Sequence, residues 1–191
     1  MKRIELAHPD VFLIEPQVWN DGRGWLFESF HAEKHAALGV VGPFLQDNHS
    51  YSRRGVLRGL HLQVAQPQAK FVRAVSGTVL DVAVDVRPSS PRFGQSVSAI
   101  LSAENKHQIY VPRGFAHGFL ALSDEAELHY KCDALYAPGD EQGIAWNDED
   151  LNIDWFSAAR EWNISPDEFI LSDKDQLNPP LREIAPEKLP R

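Results

Sequence analysis

Cysteine is almost missing from this sequence. The one present, Cys132, has no partner for an internal disulfide and cannot build a cysteine-based zinc site. Basic residues are in deficit: 19 Lys and Arg stand against 27 Asp and Glu, a formal charge of −8. General binding to nucleic acid or to a membrane surface needs a basic face, so this balance argues against both. An anionic small molecule stays open, because a pocket needs only local positive charge. No apolar run approaches membrane-spanning length, and MKRIELAHPD lacks the apolar core of a signal peptide. The expected compartment is the cytoplasm. The eight histidines form no H-x-H pair and no H-E-x-x-H helix, which speaks against a metal site. Repeats, low-complexity tracts and linkers are also lacking. The expectation is one domain, residues 1–191, long enough to bury a proper core.

What is there reads as many short strands. The clearest is Thr78–Val86, TVLDVAVDV, with Leu80, Val82, Val84 and Val86 on one face and Asp81 and Asp85 on the other. Further strands are expected over Val11–Glu15, Val56–Gln63, Phe71–Val75, Ser96–Leu101, His107–Val111, Gly118–Leu122 and Ala126–Lys131. The gaps between them are short and rich in Gly, Pro, Asn, Asp or Ser. This cadence predicts an all-β sandwich or barrel. Helical signal is confined to His31–Leu38, stopped by Gly39, to Ser157–Trp162, and to a helix start at Ser165-Pro166-Asp167-Glu168. Both termini are expected to be extended arms, the proline-rich tail from Asn178 lying over the surface.

The stretch Gly55–Arg73 concentrates the chemistry. Arg58 can hold a phosphate bidentately, His61 can move a proton near neutral pH, and Lys70 can stabilise an oxyanion. A lone strand histidine is ordinarily a packed one, so His61 needs its neighbours. Strict alternation puts Leu57, Gly59, His61 and Gln63 on one face, and Arg58, Leu60 and Leu62 on the other. For Arg58 and His61 to serve one site the strand must bulge or twist, most cheaply at Gly59. In Ala126–Lys131 the face of Ala126, Leu128, Tyr130 and Cys132 looks inward. Tyr130 is then either a core tyrosine or an acid opposite an imidazole base. His117 lies in the turn-rich VPRGFAHGF, and a metal-ligand role there would need further converging ligands. His8, His31 and His35 read as surface residues. Arg23 sits in a turn, where arginines are usually solvated. Asp173 and Asp175 form a surface turn, or one of them orients a histidine from behind.

Taken together the motifs resemble the dTDP-4-dehydrorhamnose 3,5-epimerase family, a metal-free branch of the cupin jelly rolls. They include DGRGWLFES, FLQDNHS, GVLRGLH-x-Q, QAKFVR, DVAVDVR, LSAEN, VP-x-GFAHGF, AELHYK, APGDEQGI and LSDKD, and they span nearly the whole chain. The resemblance implies a cupin-type jelly-roll barrel with a few short peripheral helices. It implies epimerisation at C3 and C5 of a dTDP-linked 4-keto-6-deoxyhexose, without cofactor or metal, by a homodimer that shares site residues across its interface. By motif position His61 would be the base, Asp175 its carboxylate, Tyr130 the opposite-face acid and Lys70 the enolate stabiliser. Arg23, Glu28, Gln46, Asp47, Asn48, Arg58, His117, Glu141 and Lys174 fall where the family contacts substrate, and Tyr136 matches the aromatic that stacks on thymine. The apolar stretch Val11–Ile14 and the jelly-roll edges are candidate pairing surfaces. Departures from the usual pattern are Leu62 in place of an aromatic, the less polar HYKCDALY, and a longer segment between Trp155 and Leu171 containing Trp162 and Phe169. The nearest alternative is an epimerase of a single carbon. Those of another class are a non-catalytic nucleotide-sugar-binding cupin and a metal-dependent cupin oxygenase.

Overall fold

The computed structural model describes residues 1–190. In chain order the strands are β1 (Lys2–Glu5), β2 (Phe12–Glu15), β3 (Val18–Asp21), β4 (Gly24–Phe27), β5 (Gln46–Arg53), β6 (Leu57–Gln63), β7 (Lys70–Ser76), β8 (Thr78–Asp85), β9 (Ser96–Ser102), β10 (Gln108–Val111), β11 (Phe115–Ala121), β12 (Glu125–Cys132) and β13 (Glu141–Gly143). The α-helices are short: α1 (Ala32–Ala37), α2 (Trp155–Glu161) and α3 (Asp173–Gln176). Two antiparallel sheets face each other, in the orders β1-β2-β10-β7-β12-β5 and β13-β6-β11-β8-β9, with β3 and β4 forming a separate hairpin. This is the expected all-β jelly-roll architecture.

Three apolar layers follow from the alternation along the strands. Between the sheets lie Leu13, Val72, Ala74, Ile109 and Leu128 from one side and Val79, Ala83, Val97, Phe115 and Phe119 from the other. The outer face of the five-stranded sheet carries Leu57, Leu60, Leu62, Leu80, Val82 and Val84, covered by Trp155, Ala159 and Ile164. Phe12, Ile14, Phe71 and Tyr110 on the outer face of the other sheet are covered by Phe30, Val40 and Phe44. Strand β8 is therefore buried on both faces. Its apolar side meets the C-terminal segment, while Asp81 and Asp85 point between the sheets with no solvent exposure.

Several expectations are corrected. Neither terminus is an extended arm: β1 and β2 are integral strands, and the tail packs Leu181, Ile184 and Leu189 into the core through two 3-10 turns. Val11–Ile14 is fully buried within the chain, so it offers no pairing surface. Of the exposed large apolar groups, Trp19, Trp25 and Leu26 sit on the β3–β4 hairpin. His8 and His35 are buried: His8 contacts Asp85, and His35 contacts Gln108 and the His31 carbonyl. Among the described residues no helix is long and apolar enough to cross a membrane.

Candidate active site

The bulge expected at Gly59 exists. Strand β11 pairs His117 with His61 and Phe119 with Arg58, so three residues of β6 span what two span on β11. Gly59 has φ 118°, a left-handed value that favours glycine. The extra residue returns Arg58 and His61 to one side of the strand, while Leu57, Leu60 and Leu62 all enter the outer core. A cavity of about 500 Å³ opens on that side, lined by Arg58, His61, Lys70, His117, Tyr130, Lys174 and Asp175. Its apolar wall includes Val56, Phe119, Leu128 and Ile170.

His61 Nε2 donates to Asp175 Oδ1 at 2.5 Å. The carboxylate side chain is only 5% exposed, against 27% for the imidazole. Burial alone would raise the Asp175 pKa. Hydrogen bonds from His61, Ser172 and the Gly59 backbone outweigh it and hold the group below the usual carboxylate value. Asp175 thus stays ionised and favours the tautomer with its proton on Nε2, leaving the lone pair on Nδ1. Glu141 approaches Nδ1 at 3.9 Å and also pairs with Lys174.

Tyr130 comes from β12 in the opposite sheet and lines the same cavity. Burial, with a smaller push from Cys132, raises its pKa, so the phenol keeps its proton at neutral pH. Lys70 begins β7, and desolvation pulls its ammonium down from the ordinary lysine value. His117 donates to both oxygens of buried Asp81 at 2.9 Å, a second histidine–carboxylate pair. Arg58 reaches from β6 across to β5 of the opposite sheet, donating to Ser52 Oγ at 3.1 Å and to the Tyr51 carbonyl at 3.0 Å. An adjoining recess of about 230 Å³ is lined by Gln46, Asn48, Gln63, Gln68, Tyr136 and Glu141. Tyr136 stands half exposed at its rim.

The sequence matches the family's profile, whose description is dTDP-4-dehydrorhamnose 3,5-epimerase, over residues 5–183. The chain belongs to the dTDP-4-dehydrorhamnose 3,5-epimerase family. The protein of that name from Pseudomonas aeruginosa is 55% identical over 156 residues, covering 81% of this chain and 86% of the relative. The Escherichia coli K12 protein of the same name is 48% identical over 192 residues, covering 99% of each. A crystal structure of the Legionella pneumophila dTDP-6-deoxy-D-glucose-3,5-epimerase, in complex with dTDP-4-keto-L-rhamnose, superposes with a TM-score of 0.91. That pair is 44% identical and covers 100% of this chain and 97% of the other.

Three residues singled out from the epimerase motifs do not line the cavity in this chain. Arg23 is at the tip of the β3–β4 hairpin, its side chain 91% exposed and paired with Asp21. Glu28 follows the hairpin and pairs with Lys34. Asp47 alternates to the outer face of β5, where it pairs with Lys131 at 2.9 Å. Conversely, sequence reasoning missed Ser50, Ser52, Gln63, Gln68 and the site role of Asp81. The signal for Asp81 was present: an acid inside a strand of aliphatic residues must find a buried partner.

Proposed function

We propose that this chain inverts C3 and C5 of dTDP-4-keto-6-deoxyglucose, giving dTDP-4-keto-L-rhamnose. The observation that carries this reading is the pairing of a carboxylate-oriented imidazole with a protonated phenol across one cavity. The C4 ketone acidifies the hydrogens on C3 and C5, so the substrate supplies its own electron sink. His61 Nδ1 removes one of these protons, and the electron pair moves onto the C4 oxygen as an enolate. The Lys70 ammonium stabilises that charge in a cavity where burial strengthens the attraction. Tyr130 then donates its proton to the opposite face of the same carbon, and exchange with solvent restores both groups. Two such cycles invert two centres with no net change in oxidation.

Arg58, Lys174 and His117 supply positive charge and donors for the diphosphate and sugar. Tyr136, Gln46 and Asn48 suit a pyrimidine base in the adjoining recess. The chain acts as a homodimer in this reading. Support comes from the exposed apolar hairpin, and from Arg23 and Glu28, motif residues that lie outside the cavity of their own chain. Proton NMR of dTDP-4-keto-6-deoxyglucose with the protein in heavy water tests the proposal. Deuterium at C3 and C5 with inversion at both is the expected result. Inversion at one carbon would assign the single-carbon reaction, and no exchange would leave only binding.

A further inference from the structure

His61 and Asp175 are 114 residues apart and meet at 2.5 Å. Asp175 rides on α3, a helix of four residues that cannot hold itself by its own hydrogen bonds. Something else must set the carboxylate against the imidazole. The residues just before Arg58 supply it, because each of them touches the C-terminal segment. Arg54 donates to the carbonyl oxygens of Trp162 at 2.5 Å and Asn163 at 3.1 Å. The Gly55 carbonyl accepts from Ile170 N at 2.9 Å, and Leu57 N donates to Ile170 O at 3.0 Å. Val56 and Ile170 form a parallel bridge. A Cβ on Gly55 would lie 2.5 Å from the Glu168 carbonyl oxygen, so the two chains lie flat against each other.

Phe169 sits in the middle of this seam. Its ring stacks on Phe156 at 5.9 Å with an interplanar angle of 10°, and meets Trp146 at 5.7 Å and 66°. Phe156 remains 43% exposed yet keeps this stack. From Phe169 the chain runs through the bridged Ile170 and through Leu171 to Ser172, whose Oγ accepts from Asp175 N at 3.1 Å. We propose that Phe169 is a positioning residue, its aromatic clamp and the Arg54–Leu57 seam holding the Asp175 carboxylate on the catalytic base. The seam makes the start of β6 and the approach to α3 one unit, so base and carboxylate move together. This inference rests on His61 acting as the base in the proposed reaction.

The test uses the full chain with Phe169→Ala and Arg54→Ala, each alone and combined with Asp175→Asn. Three quantities are read: solvent-deuterium exchange into substrate across pH, dTDP affinity, and the downfield NMR signal of the His61 Nε2–H. Each single variant should slow exchange about tenfold to a hundredfold, as misplacement near 1 Å does. Its dTDP affinity should hold, its downfield signal should be lost, and its pH profile should match that of Asp175→Asn. Added to Asp175→Asn, neither change should cost much more. Phe169→Tyr should restore the rate. Wild-type exchange in Phe169→Ala, a retained downfield signal, or losses that multiply in the double variant would each overturn the proposal. If Phe169→Ala does not fold, Arg54→Ala and Phe156→Ala carry the same test. A wild-type protein with the downfield signal but no exchange would instead sink the proposed reaction and leave the seam standing.

Discussion

Replacing Tyr130 with Phe should uncouple proton removal from inversion. The ring packs beside the inter-sheet core, and its backbone pairs with Asn48 and Val72, so the variant keeps its shape and register. Such a volume-conserving change costs less than about 1.5 kcal/mol. For a chain of this size that is a shift of a few degrees in the melting midpoint, at roughly 2–4 °C per kcal/mol. Catalytically the change removes the donor on one face only. His61, Asp175 and Lys70 are untouched, so the enolate still forms, and the imidazolium exchanges with solvent and returns deuterium to the face it left. A general acid contributes about a hundredfold to ten-thousandfold to its step. At about 1.4 kcal/mol per tenfold, that is roughly 3–5 kcal/mol of transition-state stabilisation lost from inversion. The assay is proton NMR in heavy water, with deuterium content and product stereochemistry followed in one sample. Exchange should outrun inversion by a factor approaching the lost acid contribution. If exchange and inversion fall together, or neither falls, Tyr130 is not the acid and the reasoning fails.

Burial lowers the Lys70 pKa, so a rate that needs its ammonium should decline with rising pH below the usual lysine range; Lys70→Met should slow exchange at every pH and remove that limb. Asp85 is buried, which alone would raise its pKa, but Arg87 and Ser90 outweigh this and take it down to about 2. Its stabilising contribution is full above the unfolded value of 3.8 and is lost as pH falls through about 2, which an acid-unfolding scan of Asp85→Asn against wild type would expose. Arg87→Leu takes the arginine partner from that carboxylate, leaving it Ser90 and His8, and should cost about 3 kcal/mol by denaturant melt; an unchanged midpoint would discount the pair. Turnover should survive chelation, and loss restored by one added metal ion would overturn the metal-free mechanism. Sedimentation should give twice the chain mass, with full activity at the monomer mass refuting an obligatory dimer.

Legibility in the sequence followed the apolar pattern. Thr78–Val86 was readable because Leu80, Val82, Val84 and Val86 share a period of two, and the structure puts those four in the outer core. Strand β5, QDNHSYSR, was invisible for the same reason: its inward face is Gln46, Asn48, Ser50 and Ser52, polar because it looks into the site. Local polarity there reports chemistry, not solvent. The bulge at Gly59 was legible as a condition, since Arg58 and His61 could share a site only if alternation broke between them. Burial of His8 and His35 was not legible, because their acceptors come from Asp85 and Gln108, 77 and 73 residues away. The displacement of Arg23, Glu28 and Asp47 from the cavity was equally hidden, since a motif fixes order along the chain and not reach in space.

Strands β6 and β11 touch through bare backbone beside His61. A Cβ on Gly59 would fall 2.6 Å from Gly118 Cα, and one on Gly118 would fall 2.7 Å from the Arg58 carbonyl oxygen. No side chain fits at either glycine, so the spacing of β6 and β11 beside His61 cannot be adjusted by substitution at these two positions. Reshaping the cavity then falls to side chains that line it: those on the polar face of β5, on the row that holds Leu128 and Tyr130, and in the stretch Ile170–Ser172. The backbone contact at Gly59 and Gly118 is a fixed reference point from which the side chains on the other walls set the shape of the cavity.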